Sequence, residues 1–595
     1  MDLRIATSSP TAAERAALDG VLGSPVLSWQ GAERDDASLR HHARPSGRRD
    51  LLLPALHALQ DRVGWISRGG LDEVCRRLGV APADAYGVAS FYGLLSLDAP
   101  KRRVLHVCND LACMVAGSIV PPATTTTAVH DSLCLGLCEL APAALLIEAG
   151  EQPCAVPIGA VTPSALTDLA AGASPRSMAE PGVPQAGDPA LVLLRRVGVV
   201  DATSLDDYRA HGGYQALARA LDMGATAVVE AVEASGLVGR GGAAFPTGRK
   251  WAAVASQPAL PHYVVANGDE SEPGTFKDRV LMEGDPFAVV EAMTVAGFAV
   301  GAEKGYLYVR GEYPVAWARL QGAVATARRA GLLGPDIMSR GVAFDIELRK
   351  GAGAYICGEE TAIFASIEGY RGEPRPKPPF PVEVGLFGQP TLVNNIETLV
   401  NVLPVLLDGP EAFAATGTAQ SKGTKLFCLS GSVTRPGVYE VPFGPTIREL
   451  VTLAGGLAEG REVQAVLLGG AAGTFATPAD LDVPLTMEGV RTIGASLGSG
   501  VVLVLDDTVD LVPLVIRIAT FFRDESCGQC VPCRLGTARQ VELLRRATDG
   551  DGAALPVLDD VGRAMRDASI CGLGQMAYNA VESAVTRLRL FGAPS

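Results

Sequence analysis

The chain has 595 residues, and its 65 acidic side chains outnumber 51 Lys and Arg to give a formal net charge of −14. This length predicts about four domains, and an acidic chain without a basic block argues against a polynucleotide partner. The mean hydropathy is +0.22, but apolar runs such as 501–505 and 513–522 are too short or too interrupted by charge to span a membrane. The first twenty residues lack the apolar core of a secretory signal, so a cytoplasmic location is expected.

The N-terminal third is predicted to contain a tail, a compact unit and a linker. Residues 1–45 are polar and irregular and are expected to form a tail. Apolar residues recur at helical spacing over 51–97, and the strand-like segments RVLHVC and AALLIE follow, which predicts a helical bundle and a small α/β domain over 46–170. The Pro, Gly, Ala and Ser content of 171–194 predicts a linker.

Three further domains are predicted in the rest of the chain. Over 195–405, strand-like segments such as HYVVANGDE alternate with helical segments such as DPFAVVEAMTVAGFAVGA, which predicts an α/β layered domain. Residues 406–510 are β-rich, with a turn expected at 435–441, and their number suits a small β-grasp-like unit of the soluble-ligand-binding type. Helical periodicity returns over 511–595. The expected fold class is therefore multidomain α/β and α+β.

The C-terminal cysteines have the spacing of an iron–sulfur ligand set. The segment SCGQCVPCR places Cys527, Cys530 and Cys533 three residues apart, and Cys571 is the only later cysteine. Three thiolates from a tight loop with a fourth from a remote segment are typical of a 4Fe–4S cluster. Zinc also accepts four thiolates, although structural zinc sites usually combine two CxxC pairs. Glycines beside Cys571 would let backbone amides approach the sulfurs.

A second group of four cysteines lies in the N-terminal α/β domain. Cys108 and Cys113 form one pair, and Cys134 and Cys138 form another. Two pairs on two loops suit a 2Fe–2S cluster in which each iron takes one pair. Zinc fits the number of ligands but not the wide first spacing, and a thioredoxin-like dithiol would need only one CxxC. The other cysteines are expected as small buried apolar residues: Cys75, Cys154, Cys357 and Cys428.

Two glycine-rich segments between these cysteine groups suggest nucleotide binding. In GRGGAAFPTGRKW, the glycines at 239, 241 and 242 let backbone amides approach a phosphate, while Arg240 and Lys250 supply positive charge. A second glycine-rich run, GAGAYICGEET, is followed by KPPFP and VNNIETL. Neither run matches the GxGxxG or GxxxxGK[ST] fingerprints, so a nucleotide-binding fold of another type is expected.

The order of these motifs carries a resemblance to a known family. The chain resembles, over about 195–595, the flavin-carrying NADH-oxidising subunit of respiratory complex I, and its first 170 residues resemble the small thioredoxin-like 2Fe–2S subunit. A fusion of the two is familiar from soluble NAD-reducing hydrogenases and from NAD-dependent molybdenum or tungsten formate dehydrogenases. The motifs that carry the resemblance are GRGGAAFPTGRKW, NGDESEPGTFKDR, GAGAYICGEET, KPPFP, VNNIETL, SCGQCVPCR and, near the N-terminus, VASFYGLLSL.

The resemblance implies a flavin site and a dinucleotide site. FMN would lie against Gly239, Arg240, Gly241, Gly242, Lys250, Asn267, Asp269, Glu270, Ser271, Tyr355, Gly358, Glu359, Glu360, Asn394, Asn395 and Thr398. NAD(H) would stack over the flavin, with its adenine flanked by Phe245 and Phe380 and its polar groups reached by Glu272 and Lys377. Glu272 and Glu360 would orient the nicotinamide or adjust the flavin potential rather than act as strong acids or bases.

The sequence departs from the family pattern in three places. Ala244 stands where the family usually has Gly, WAAV (251–254) lacks the usual aromatic residue, and only 114–133 separates the two N-terminal cysteine pairs. The first two changes affect the predicted dinucleotide pocket. The third shortens the thioredoxin-like domain that is expected to hold the 2Fe–2S cluster.

The function implied is that of a diaphorase, which passes electrons between NAD(H) and iron–sulfur clusters through FMN. The chain has no second-substrate motif, so a large catalytic subunit is expected, with further iron–sulfur clusters and a molybdenum or tungsten pterin, in a hetero-oligomer such as a dimer of heterodimers. A formate dehydrogenase is favoured because all four N-terminal cysteines are kept. The alternatives are an NAD-reducing hydrogenase, a complex I subunit and, in another class, a colourless zinc-stapled binding protein.

Overall fold

The computed structural model describes residues 8–23, 47–99, 101–175 and 182–592. These ranges contain two four-stranded sheets and one five-stranded sheet. Within them, no helix has both the length and the apolar character needed to cross a membrane.

The N-terminal helices confirm the predicted bundle and extend it. Part of the predicted tail, Ala12–Leu22, is a helix because Thr11 and Glu14 form a reciprocal capping box and Leu18 is buried against the bundle. Residues 1–7 and 24–45 of that predicted tail lie outside the described ranges. The other bundle helices are Leu52–Val63, Arg68–Leu78 and Pro82–Ala89.

The next domain has a four-stranded sheet in the order β2-β1-β3-β4. Its strands are β1 (Arg103–Cys108), β2 (Thr127–Ser132), β3 (Ala144–Glu148) and β4 (Cys154–Ile158), and its helices are Leu111–Val115 and Pro163–Ala170. Strands β1 and β2 are parallel, with Cys108 opposite Ser132. Because parallel strands end at the same edge, Cys108 and the segment that follows Ser132 meet there.

The predicted linker 171–194 is anchored at its C-terminal end. The Glu440 carboxylate accepts hydrogen bonds from the backbone N–H groups of Val192, Leu193 and Leu194 at 2.9–3.2 Å. Leu193 and Leu194 are buried. This part of the segment therefore packs against the β-rich domain instead of running freely between domains.

The largest domain contains a parallel sheet in the order β7-β6-β5-β8. Its strands are β5 (His262–Gly268), β6 (Ala302–Val309), β7 (Asp345–Lys350) and β8 (Thr391–Asn395). All four carboxyl ends lie at one edge, which is where open α/β sheets bind ligands. The helices of this domain and its C-terminal extension are Leu205–Ala210, Gln215–Met223, Ala225–Ala234, Thr247–Ala255, Lys277–Gly284, Pro286–Val300, Pro314–Arg329, Glu360–Ile367, Ile396–Val400, Val402–Asp408 and Pro410–Ala415.

The β-rich domain has a five-stranded sheet in the order β10-β9-β13-β11-β12. The strands are β9 (Thr424–Gly431), β10 (Gly437–Pro442), β11 (Val463–Leu468), β12 (Thr474–Ala476) and β13 (Val501–Asp506), with helices Ile447–Leu453 and Met487–Arg491. The turn expected at 435–441 is mostly strand β10, because the residues after Pro436 pair antiparallel with β9 and are buried there. The sheet has its own apolar core on one face.

The C-terminal domain is helical, as predicted from its periodicity. Its helices are Leu511–Asp524, Val531–Thr548, Ala554–Ala568, Gly572–Met576 and Asn579–Thr586. The first is amphipathic and buries Leu514, Ile518 and Phe522 against the rest of the molecule. The cysteine-rich loop lies between the first and second helices, and Cys571 directly precedes the fourth.

Candidate functional site

The sheet edge brings the predicted flavin residues together. The Asn267 side-chain amide at the end of β5 donates to Gly358 O at 2.8 Å, which joins two of the predicted loops. The backbone N–H of Arg240 donates to Thr398 Oγ1 at 2.8 Å, which fixes the glycine-rich loop to the helix after β8. Segments far apart in sequence therefore share one site at the carboxyl ends of the strands.

The glycine-rich loop lies close to its neighbours at Gly241. A Cβ on Gly241 would lie 3.0 Å from Asn395 Cβ, tighter than most real contacts of this kind. Gly242 has a φ of 119°, which favours glycine. Ala244, where the family usually has Gly, has a φ of 52° and so adopts the left-handed conformation that costs an L-residue about 1–2 kcal/mol.

Four charged side chains of the predicted site form one ion-pair group. Lys250 Nζ lies 3.1 Å from Glu360 Oε2, and Lys377 Nζ lies 2.7 Å from Glu360 Oε1 and 2.9 Å from Glu359 Oε1. Burial alone would raise the pKa of Glu360, but the two lysines outweigh it and lower that pKa. Glu360 is therefore ionised and anchored at neutral pH. Glu359 also caps the helix Glu360–Ile367 through the N–H groups of its first turn.

The loop after β5 carries four predicted residues, and three of them are carboxylic acids with raised pKa values. Burial raises the pKa of Asp269 to about 8 and those of Glu270 and Glu272 to about 7. Ser271 Oγ donates to Asp269 Oδ2 at 2.9 Å. Perturbed acidic groups of this kind cluster at functional sites. The Glu270 carboxylate also accepts N–H groups at the start of the helix Lys277–Gly284 and so holds that helix to the loop.

Two of the predicted dinucleotide residues are exposed aromatic rings, while Glu272 contacts another domain. Phe245 is 54% exposed and Phe380 is 52% exposed, so both rings are accessible for stacking on a ligand. Glu272 accepts a hydrogen bond from the Ala472 N–H at 2.8 Å, so it also contacts the β-rich domain. The Tyr355 ring packs on Phe521 of the C-terminal domain, with ring centroids 5.0 Å apart.

The two asparagines of VNNIETL hold protein groups. Asn394 Oδ1 accepts from Trp251 Nε1 at 2.9 Å. The Asn395 amide nitrogen donates to Asp278 Oδ2 at 2.6 Å, and its oxygen accepts from Lys277 Nζ at 3.3 Å. Within the described residues the Asn394 amide nitrogen has no hydrogen-bond partner and can still donate to a flavin, while Asn395 is held by Lys277 and Asp278. Both residues connect the end of β8 to neighbouring helices, and their contact with FMN stays a prediction.

The structure adds cationic residues from the β-rich domain that sequence reasoning missed. A cavity of about 130 Å³ lies between the glycine-rich loop and this domain, and Lys425, Phe443 and Arg491 line it together with Arg240. The Arg240 side chain is buried, yet its Nε and Nη1 have no partner among the described residues. In the part of the chain that the structure describes, no acidic residue lines the cavity. Orphaned guanidinium nitrogens beside glycine amides fit the phosphate of a nucleotide.

The four N-terminal cysteines meet at the edge where β1 and β2 end. All four are buried, Cys134 Sγ lies 3.4 Å from Cys138 Sγ, and the Gly136 N–H donates to Cys134 Sγ at 3.4 Å. The thiol of Cys108 interacts with those of Cys113 and Cys134, and this thiol–thiol contact together with burial raises its pKa. A buried group of four thiols with a backbone donor to sulfur fits a 2Fe–2S cluster. Of the other cysteines, Cys154 is exposed, contrary to expectation.

The C-terminal cysteines lie on a loop and two helix starts. Cys533 lies in the first turn of its helix, its sulfur is 3.3 Å from Ser526 Oγ, and Cys571 receives N–H groups from Leu573 and Gly574. A Cβ on Gly574 would lie 2.9 Å from Cys533 Cβ, so this glycine lets the two segments meet. Burial raises the pKa of Cys533 to about 11 and that of Cys571 to about 12. Such thiols ionise at pH 7 only beside a cation such as iron.

Neither group of thiols is closed around a single point. Within the described ranges, no three His, Cys, Asp or Glu side chains have the arrangement that would hold one metal ion. The cluster ligands are therefore assigned from thiol pairing, burial and backbone donors, and they stay predictions at the level of individual residues.

A nucleotide site at a parallel sheet edge, flanked by two groups of thiols, defines the class of this molecule: an electron-transfer flavoprotein with two iron–sulfur centres. Models of four families match the chain in the same order. They are a thioredoxin-like [2Fe-2S] ferredoxin at 38–153, the Nuo51 FMN-binding domain at 232–404, an SLBB domain at 426–471 and the NADH-ubiquinone oxidoreductase-F iron-sulfur binding region at 514–590.

The similar proteins agree with this order. The F 2 subunit of NADH-quinone oxidoreductase in Rhizobium meliloti (strain 1021) is 44% identical over 402 residues, which are 67% of this chain and 96% of that protein. The chain belongs to this family of NADH-oxidising FMN subunits. NADP-reducing hydrogenase subunit HndC of Solidesulfovibrio fructosivorans is 44% identical over 66% of this chain and 80% of its own length.

A solved structure matches nearly the whole chain. A crystal structure of NAD+-reducing [NiFe]-hydrogenase in the H2-reduced state aligns with a TM-score of 0.79 and 32% identity, over 91% of this chain and 92% of that chain. The predicted fold class and the expected cofactors, FMN, NAD and the two clusters, are confirmed by these matches.

Proposed function

We propose that this chain is the diaphorase subunit of a cytoplasmic NAD-dependent enzyme, and that it connects NAD(H) to a separate catalytic subunit. The observation that carries the proposal is a set of contacts between segments with predicted flavin residues and segments with cysteines. The loop after β5 contacts the N-terminal cysteine group, and the segment around Tyr355 contacts the C-terminal cysteine group. Arg310 donates to Glu270 O in the loop after β5 and to Cys134 O in the N-terminal cysteine group. The Tyr355 N–H donates to Glu525 Oε2 at 2.6 Å, and Glu525 directly precedes the segment that contains Cys527, Cys530 and Cys533. All twelve cysteines are free thiols, in agreement with a reducing compartment.

The residues of the site have separate tasks in this proposal. When bound, FMN exchanges a two-electron hydride for single electrons, and the clusters carry single electrons. The glycine-rich loop and Arg240 bind the flavin phosphate, and Lys250 and Glu360 hold each other in a fixed position beside it. Phe245 and Phe380 stack on the adenine, and Glu272 and Lys377 orient the polar groups of the dinucleotide.

The cysteine groups are proposed as the cluster ligands. The 2Fe–2S ligands are Cys108, Cys113, Cys134 and Cys138, and the 4Fe–4S ligands are Cys527, Cys530, Cys533 and Cys571. Cys527, Cys530 and Cys571 are only half-buried, so the C-terminal site is the one from which an electron reaches a partner. The four cysteines of the N-terminal group are buried within the protein.

The partner is proposed to be the large subunit of a formate dehydrogenase, with further iron–sulfur clusters and a molybdenum or tungsten pterin, in a hetero-oligomer such as a dimer of heterodimers. The four buried N-terminal thiols support this choice. A second candidate is the diaphorase of an NAD-reducing hydrogenase, and the alignment with a hydrogenase chain over 91% of this sequence favours it.

Two measurements test the proposal. The visible spectrum of the purified chain should contain flavin and iron–sulfur absorption that NADH bleaches, and a colourless protein would support the zinc-stapled alternative instead. Purification from the native host, followed by assays of NAD+ reduction with formate and with H2, identifies the partner. Formate-dependent activity with a pterin subunit supports the first candidate, and H2-dependent activity refutes it in favour of the second.

A further inference from the structure

A single arginine side chain contacts both the loop after β5, which carries predicted flavin residues, and the loop that carries Cys134 and Cys138. Arg310 directly follows β6 and is buried. Its Nη1 donates to Glu270 O at 2.7 Å, and its Nη2 donates to Cys134 O at 2.7 Å. One planar group therefore holds two carbonyls from segments that are more than a hundred residues apart. The fork geometry of arginine suits this bridge, and the single ammonium of lysine does not.

The surrounding contacts give this bridge a fixed position. Glu312 pairs with Arg310 at 3.0 Å, and the Arg310 guanidinium lies 4.9 Å from the centre of the Tyr313 ring. Tyr313 Oη donates to Glu270 O at 3.2 Å, the same carbonyl that accepts from Arg310. A Cβ on Gly136 would lie 2.1 Å from Tyr313 Oη, so the thiol loop is in direct contact with this group.

We propose that Arg310 is a positioning residue that couples the flavin-side loop to the 2Fe–2S ligand loop and places a positive charge beside that cluster. This inference deepens the proposed function and rests on its assignment of the N-terminal thiols. Reduction of a cluster adds negative charge, so a nearby cation raises its reduction potential. Removal of Arg310 also leaves the largely buried Glu312 carboxylate without this partner, which lowers the potential further.

The bridge predicts two linked effects in one variant. In Arg310→Met, both the charge and the fork are lost, so the reduction potential of the 2Fe–2S cluster falls. At the same time, the Glu270 carbonyl loses a charged hydrogen bond, and FMN binding weakens by about tenfold. In Arg310→Lys, the charge stays and the fork is lost, so the potential stays close to that of the wild type while FMN binding still weakens.

The matched control is Arg517→Met. Arg517 is a second largely buried arginine near the thiols, where its Nη2 lies 3.5 Å from Asp110 Oδ2, and within the described residues it makes no hydrogen bond or ion pair with the Glu270 loop. We expect this variant to leave FMN affinity unchanged, whatever it does to the cluster potential. It therefore separates a charge near the cluster from a bridge between the two loops.

The experiment uses the full chain with its cofactors. The potential of the 2Fe–2S cluster is followed by paramagnetic resonance in a redox titration, with the 4Fe–4S signal of the same sample as an internal reference, and FMN release is followed by flavin fluorescence. An Arg310→Met protein in which either quantity is unchanged overturns the inference. If that variant does not fold, unaltered FMN affinity in Arg310→Lys overturns it. A wild-type protein without flavin or cluster signals refutes the proposed function instead.

Discussion

The two thiol regions differ in how deeply the protein encloses them. Cys108, Cys113, Cys134 and Cys138 are all buried, and Arg279 and Arg310 donate to carbonyls of their loop. In the C-terminal region only Cys533 is buried, and its neighbours Val531 and Leu535 are 55% and 59% exposed. An enclosed site is suited to storing an electron at a tuned potential. A half-exposed site with apolar neighbours is suited to passing an electron to another protein.

The largest expected effect comes from removing one ligand at each region. Cys571→Ala should abolish the 4Fe–4S signal and electron delivery to the partner, while NADH oxidation with a small artificial acceptor survives because it needs only the nucleotide site. Cys134→Ala is the matched variant and should remove only the 2Fe–2S signal. Both rates and both signals are measured on each preparation. Normal partner reduction by Cys571→Ala would contradict the assignment of the C-terminal region as the exit.

The second prediction tests whether both regions depend on one electron donor. In Gly241→Val the added carbons collide with Asn395, which lies 3.0 Å from an ideal Cβ, and the glycine-rich loop can no longer close on a phosphate. We expect protein without FMN in which NADH reduces neither cluster and dithionite reduces both. Gly552→Val, where a Cβ meets no described atom within 4 Å, is the control and should keep its flavin. Reduction of either cluster by NADH in flavin-free protein would reveal a second route.

The third prediction compares how much distortion each region tolerates. Gly136→Ala places a Cβ 2.1 Å from Tyr313 Oη at a φ of 66°, and Gly574→Ala places one 2.4 Å from Ser569 Oγ. Each should destabilise its own region by about 1–3 kcal/mol and lower the occupancy of its own cluster. Gly572→Ala meets only the flexible end of Met576 at 3.1 Å and should be nearly silent. Iron content and the two paramagnetic signals check this, and loss of the wrong signal would contradict it.

In both cysteine groups, the sequence predicts the features that depend on local pattern, such as strand segments and the spacing of the ligands. Strand β1 has the bounds of the strand-like segment RVLHVC, and the spacing of the cysteines is enough to predict both groups. The fork of Arg310 and the cavity lined by Lys425 and Arg491 could not be predicted in this way. They depend on contacts between distant segments, and 176 residues separate Arg310 from Cys134. A lysine in a strand carries no local signal that a nucleotide loop packs against it.

A smaller effect is expected at Glu272. Its carboxylate accepts a hydrogen bond from the Ala472 N–H of the β-rich domain. Because burial raises the pKa of Glu272 to about 7, its carboxylate is charged above that pH and neutral below it. If it lies near the adenosine ribose, the charged form repels a 2′-phosphate and favours NAD over NADP. The ratio of NADPH to NADH oxidation should therefore rise as the pH falls from about 8 to about 6. In Glu272→Gln the ratio should be about tenfold higher than in the wild type at about pH 8 and should change little with pH. Equal rates with both dinucleotides in the wild type would contradict this role.

The smallest expected effect is at Ala244 in the glycine-rich loop. Its φ of 52° is strained for alanine, so Ala244→Gly should relieve about 1 kcal/mol. Ala243→Gly is the matched control, since Ala243 is not in the left-handed region and glycine there only adds freedom to the unfolded chain. Thermal release of FMN should occur at a higher temperature in Ala244→Gly and at a slightly lower temperature in Ala243→Gly, with both cluster signals unchanged. The same direction of change in both variants would show that flexibility of this loop, and not the strain at Ala244, determines how firmly the flavin is held between the two thiol regions.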